Sequence, residues 1–193
     1  MTNRILWINP VDELAAFNLP IAEFINSAKR ADTQVDVVAL KRGPRDLNYR
    51  YYDALILVDT LHQVKRAEKE GYDAAIIGCF NDPGLWGARE ITDQIVVVAP
   101  AEASMLIAAG LGHRFSIIVT NDKSIPKMYE LVVNYGLINR LASFESVDLV
   151  VSDYQKNKTE TMQRIHKVAE RAVHEKLAEV IILAWLYHAI WFL

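Results

Sequence analysis

The residue whose type and position best suit chemistry is Cys79, the only cysteine in the chain. It follows the apolar run of residues 74–78 and precedes the turn-forming sequence Asp82-Pro83-Gly84. A thiolate is a strong base and nucleophile, and a helix that opens near Leu85 would direct backbone N–H groups toward it. The alternative is a small buried hydrophobic residue. The position at a strand end, followed at once by a turn, favours the reactive interpretation.

Two polar residues occupy comparable positions elsewhere in the sequence. Asn9 precedes Pro10 at the end of an apolar run, and Thr120 ends another run and is followed by Asn121. Residues in loops at strand ends often bind ligands. Each also has a structural alternative, because Asn-Pro is ordinary turn chemistry and a threonine can simply end a strand.

The elements that must position these residues alternate between short apolar runs and longer helical patterns. This order predicts an α/β fold with mostly parallel sheets flanked by helices. Residues 54–58 could form a strand, but Leu57, Leu61 and Val64 keep helical spacing, so we predict a helix there. The predicted strands cover residues 5–8, 35–40, 74–78, 95–99, 115–120, 147–151 and 180–183, and the predicted helices cover 18–30, 52–70, 102–111, 124–135 and 158–177.

Composition excludes several classes of function. The net charge of −3 provides no basic surface for a nucleic acid. One cysteine cannot form an internal disulfide and suits a reducing cytoplasm. No cluster of His, Cys and carboxylate residues has metal-ligand spacing, and no glycine-rich phosphate loop is present. The start of the chain has no signal-peptide pattern, and the apolar run of residues 180–193 is short for a membrane span. We therefore expect a cytoplasmic protein without metal or membrane partner.

A weak internal repeat predicts two related lobes. Residues 73–79 read DAAIIGC and residues 178–185 read AEVIILAW, so an acidic residue, an apolar strand and a small residue precede Cys79 and Trp185 alike. We predict a first lobe over residues 1–97, a second over 98–185 and an atypical apolar tail over 186–193. The active site is expected in the cleft between the two lobes.

Four segments in order along the chain resemble the hydantoin-racemase branch of the aspartate/glutamate racemase superfamily. They are INP at residues 8–10, GCFNDPGL at 78–85, AEA at 101–103 and FSIIVT at 115–120. The resemblance implies a cofactor-independent racemase that acts on a hydantoin or a related small amino-acid derivative. It also implies that Cys79 is one of two catalytic thiols and that Asn9, Asn81 and Thr120 bind substrate.

The chain departs from the family pattern at the second thiol. Trp185 stands where the resemblance places the second cysteine, and the family's C-terminal return segment is expected to be missing. Both departures predict impaired racemisation. Two other functions stay open: a single-thiol lyase or decarboxylase, and a non-catalytic remnant or binding protein. A short membrane anchor or partner-binding helix is the alternative for the tail, and homo-oligomerisation is left open.

Overall fold

The computed structural model describes residues 2–15, 18–149 and 157–185. The described residues form two compact units, which divide between Pro100 and Ala101. The predicted tail of residues 186–193 lies outside the described residues. Within the described ranges, no helix has both the length and the apolar character that crossing a membrane requires.

The first unit is built on a four-stranded, wholly parallel sheet in the order β2-β1-β3-β4. Crossover helices connect the strands, as parallel pairing requires. The strands are β1 (Asn3–Asp12), β2 (Thr33–Leu40), β3 (Ala74–Ile77) and β4 (Val96–Val98), and the helices are α1 (Asn18–Ala28), α2 (Arg50–Lys69) and α3 (Leu85–Glu90).

The strand β1 is covered on both faces, which explains its nearly continuous apolar sequence. Leu6 and Ile8 are fully buried in a core that includes Ile56 and Val64 of α2. The intervening Trp7 lines an apolar cavity with side chains of α1. This alternation places α2 and α1 on opposite faces of the first sheet.

The helix predicted over residues 52–70 is confirmed as α2. Its buried residues Ile56, Thr60, Val64 and Ala67 keep the spacing of one helical face. The run of residues 54–58 was ambiguous because several apolar side chains on the outer face of this helix, including that of Val58, are exposed to solvent. Helical spacing, and not the local apolar run, was therefore the correct signal.

The second unit contains a three-stranded parallel sheet in the order β6-β5-β7. Every residue of the central strand β5 is buried, and the last helix packs against β5 and β6. The strands are β5 (Phe115–Val119), β6 (Leu141–Ser146) and β7 (Val180–Leu183), and the helices are α4 (Pro100–Leu111), α5 (Ile125–Asn134) and α6 (Lys158–Lys176). The predicted α/β class with parallel sheets and flanking helices is confirmed.

One predicted strand is wrong. Residues 147–149 of the strand predicted over 147–151 are not in a strand, and residues 150–151 lie outside the described part. The third strand of this sheet is β6, a mostly half-buried edge strand that carries Ser143 and the buried Glu145. Both polar groups have partners in the fold, so β6 lacks the apolar run that reveals the other strands of this sheet.

Glu68 joins α2 to the loop before β4 and makes stability depend on pH. The pKa of its carboxyl is lowered from 4.5 to about 2, first by the hydrogen bond from Lys65 and then by the backbone N–H groups of Gln94 and Asp93. A lowered folded-state pKa stabilises the fold above the ordinary pKa of the group, and this stabilisation is lost as the pH falls toward 2.

We therefore expect Glu68→Gln to lower the urea midpoint of unfolding at pH 7. The difference from the wild type should shrink between pH 4.5 and pH 2. Urea titrations of both proteins across this range test the expectation. A difference that does not change with pH would show that the charge of Glu68 contributes nothing.

Candidate active site

Cys79 lies immediately beyond the carboxyl end of β3, as predicted. The Gly78 N–H donates to Ile8 O at 2.7 Å, which extends the pairing of β1 with β3 up to the cysteine. The thiol is partly buried and forms no disulfide. The backbone N–H of Asn81 donates to Cys79 Sγ at 3.5 Å. This contact places a backbone donor beside the sulfur.

The donor on the sulfur comes from a different residue than predicted. The prediction assigned it to the opening turn of the helix near Leu85, but α3 has only six residues and the Leu85 N–H bonds to Asp82 O at 3.2 Å. The tight turn brings the Asn81 N–H back to the sulfur instead. The backbone of this turn is left-handed at Asp82, with φ of 46°, and at Gly84, with φ of 74°. Aspartate and glycine tolerate this conformation, which explains the Asp-Pro-Gly sequence.

Gly78 is required by a close contact beneath the site. A Cβ at this position would lie 2.3 Å from Nε1 of Trp7, so no larger residue fits without moving the indole. The same indole N–H donates to Asn9 Oδ1 at 2.6 Å. The glycine before the cysteine therefore lets Trp7 reach and orient Asn9.

Asn9 lies within β1 and beside Cys79 at the same end of the first sheet, not in the turn that its neighbour Pro10 suggests. It is only 1% exposed. Its Nδ2 donates to Asn18 Oδ1 at 3.0 Å, and the Asn18 amide in turn donates to Asp12 O at 2.9 Å. The side chain is thus held in one orientation before any ligand binds.

The side chain of Asn81 connects the cysteine loop to α2. Its Nδ2 donates to Leu47 O at 2.9 Å and to Asp53 Oδ1 at 3.0 Å. Asp53 was not identified from the sequence. It lies 28 positions before Asn81 in an unremarkable helical turn, and no local pattern connects the two residues.

In the second unit, Thr120 lies directly after β5 and is buried. Its Oγ1 shares a hydrogen bond of 3.0 Å with Ser124 Oγ and accepts one of 3.3 Å from Asn121 Nδ2. The Thr120 carbonyl accepts a hydrogen bond from Leu149 N–H at 2.9 Å. This polar group therefore lies at the carboxyl end of the central strand, where parallel sheets bind ligands.

The end of β7 repeats the geometry of the end of β3. The Ala184 N–H donates to Ile118 O at 2.9 Å, as the Gly78 N–H donates to Ile8 O in the first unit. The next residue is Trp185 in one unit and Cys79 in the other. Trp185, which is partly exposed, thus occupies in its own sheet the position that Cys79 occupies in the first.

The structure places the predicted residues at the carboxyl ends of parallel strands in each unit. Cys79, Asn9 and Asn81 lie at this end of the first sheet, and Thr120 and Trp185 at that of the second. Across residues 2–15, 18–149 and 157–185, no three His, Cys, Asp or Glu side chains are grouped as metal ligands would be.

Comparisons with known proteins identify the family of the chain. The Asp/Glu/Hydantoin racemase family model matches residues 20–184. The hydantoin racemase of Pseudomonas sp. (strain NS671) is 34% identical over 180 residues, which is 93% of this chain and 72% of the relative. The solved structure of allantoin racemase from Klebsiella pneumoniae has a TM-score of 0.87 and 27% identity, covering 95% of this chain and 74% of that one.

A more distant likeness concerns the fold alone. The crystal structure of arylmalonate decarboxylase has a TM-score of 0.59 at 14% identity, covering 93% of this chain and 76% of that one. The family model and the hydantoin racemase together cover nearly all of the sequence. The chain belongs to the Asp/Glu/Hydantoin racemase family, and by this membership it is an isomerase of the racemase type.

Proposed function

We propose that the chain acts without a cofactor on hydantoins or related cyclic amino-acid derivatives, with Cys79 as a catalytic acid/base. The observation that supports this most directly is the position of the thiol at the carboxyl end of β3, with the Asn81 N–H on its sulfur. A thiolate formed there would remove the proton from the carbon acid of the substrate. Asn9, Asn81 and Thr120 are the proposed substrate contacts.

Racemisation requires a base and an acid on opposite faces of the planar intermediate, because the new proton must arrive opposite to the one that left. We propose that Cys79 works on one face of the substrate. Trp185 follows β7 as Cys79 follows β3, which supports it as the residue that stands in place of the second thiol. Indole is not an acid/base group at neutral pH, so we propose that inversion is impaired while proton removal by Cys79 is retained.

The replacement by Trp185 also supports a second candidate, a lyase or decarboxylase that uses one thiol. Such an enzyme has to protonate only one face of its intermediate, so Cys79 alone would be sufficient. A protein that binds such substrates without turning them over is the remaining alternative.

The test measures α-proton exchange in D₂O for both enantiomers of benzylhydantoin and of allantoin. We expect exchange above the buffer background for at least one compound, and a reduction of about 10² to 10⁴ in Cys79→Ala. Asn48→Ala is a suitable control, because Asn48 in the neighbouring loop donates only to Asp46. Exchange that persists in Cys79→Ala would refute the role of the thiol.

The same proteins, incubated with phenylmalonate, separate the alternatives. Carbon dioxide release that depends on Cys79, without exchange of any hydantoin, would identify the single-thiol lyase. Binding of hydantoin without either reaction would identify a binding protein.

A further inference from the structure

The amide nitrogen and the amide oxygen of the Asn81 side chain differ in their hydrogen bonding. Both hydrogens of Nδ2 are used within the protein, one on Leu47 O and one on Asp53 Oδ1. Its Oδ1 accepts no hydrogen bond from any residue in the part of the chain that the structure describes. Because this oxygen has no partner there and is not fully buried, it remains open to solvent.

The orientation of this carboxamide is fixed by its neighbours. Leu47 O and Asp53 Oδ1 can only accept hydrogen bonds. A flipped side chain would bring its own oxygen against both of these acceptors and lose two hydrogen bonds. The carboxamide therefore presents an acceptor, and never a donor, to anything that binds beside it.

The residue that carries this acceptor also contacts the reactive atom through its backbone. Asn81 is two residues from Cys79, and its backbone N–H already contacts the sulfur. A substrate whose carbon acid approaches Cys79 Sγ would bring the groups bonded to that carbon close to Asn81. In a hydantoin ring the nearest hydrogen-bond donor is the N–H on the nitrogen bonded to the carbon acid.

We propose that Asn81 Oδ1 accepts a hydrogen bond from this ring N–H, and that Asp53 is the positioning residue that holds the acceptor in place. The proposal rests on the function proposed above and specifies that its substrates carry an N–H next to the carbon acid.

The same acceptor disfavours an analogue that lacks the hydrogen on this nitrogen, because such an analogue leaves Asn81 Oδ1 without a donor. A site with a fixed hydrogen-bonding group rejects an analogue that leaves the group unpaired more strongly than an apolar site rejects a misfit.

The first test uses the wild-type chain and three ligands, with dissociation constants measured by NMR titration. Relative to benzylhydantoin, methylation of the nitrogen next to the carbon acid should weaken binding about tenfold, the effect of one lost hydrogen bond. Methylation of the imide nitrogen, between the two carbonyls, should change it little.

The second test repeats the titrations with variants. In Asn81→Leu the tenfold preference should disappear, because the parent ring binds more weakly while the methylated ring binds as before. Asp53→Asn can donate to Asn81 and so permits a flipped carboxamide, which should reduce the preference. Asn48→Ala should retain the tenfold preference, because Asn48 donates its hydrogen bonds to Asp46 and not to Asn81.

Equal affinity for the parent ring and the analogue methylated next to the carbon acid would overturn the proposal. So would a preference that survives in Asn81→Leu. Neither result bears on exchange at Cys79, whereas an absence of binding by every ring would refute the proposed function and this inference together. A chain that prefers the ring N–H but shows no Cys79-dependent exchange would keep the binding inference and lose the catalytic one.

Discussion

Replacing Arg171 with alanine is expected to lower the free energy of unfolding by about 3 kcal/mol. Glu145, the penultimate residue of β6, is 1% exposed, and its Oε2 accepts hydrogen bonds from Nε of Arg171 at 2.7 Å and from Nη2 of the same guanidinium. Its Oε1 accepts a hydrogen bond of 2.7 Å from Ser143 Oγ. Removing Arg171 leaves a buried carboxylate with one neutral donor. The estimate is at the lower end for a buried pair because the Arg171 side chain is half-exposed.

Urea denaturation of a double-mutant cycle measures this effect. Glu145→Gln in the Arg171→Ala background should recover part of the loss, because the unpaired charge is then absent. Arg30→Ala is a matched control: its partner Asp32 lies two residues away, and both side chains are largely exposed. We expect no measurable change there. If the two single arginine variants lose the same amount, burial of Glu145 does not determine the cost.

The same carboxylate shows why one strand could not be predicted. The other strands of the second sheet are apolar because the helices that cover them leave no place for an unpaired polar group. Ser143 and Glu145 break that pattern in β6, and their partners Ser116 and Arg171 come from other elements. A single sequence does not show which buried polar residues have such partners, so the apolar residues that follow β6 were taken for the strand.

The candidate site likewise contains residues that the sequence predicts and contacts that it does not. Cys79 and Trp185 could be predicted because an apolar run that ends in a small residue precedes each, and the backbone geometry at the two strand ends repeats. The hydrogen bond from Asn81 to Asp53 depends on how α2 lies beside the cysteine loop. That contact results from tertiary packing, and it determines that the amide oxygen, and not the amide nitrogen, is left without a partner among the described residues.

The largest effect that we expect on catalysis is a difference between the two enantiomers of one substrate. If Cys79 supplies one acid/base group and Trp185 stands in place of the other, only the enantiomer whose α-proton points toward Cys79 should exchange that proton with D₂O. A deuteron returns from the same side, so the product is deuterated without inversion. For the other enantiomer no second thiol is present, and an indole does not remove the proton.

We therefore expect exchange of one benzylhydantoin enantiomer with retained optical purity, and exchange of the other only at the uncatalysed rate. Racemisation should be slower than exchange by about 10² to 10⁴, the usual contribution of one acid/base residue. Each pure enantiomer is followed in D₂O by proton NMR for loss of the α-proton and by chiral chromatography for inversion. The exchange should vanish in Cys79→Ala and remain in Trp185→Phe, which is equally unable to transfer a proton. Racemisation of both enantiomers at the rate of exchange would mean that a residue other than Trp185 delivers the second proton, because a deuteron can reach the opposite face only from a competent acid placed there.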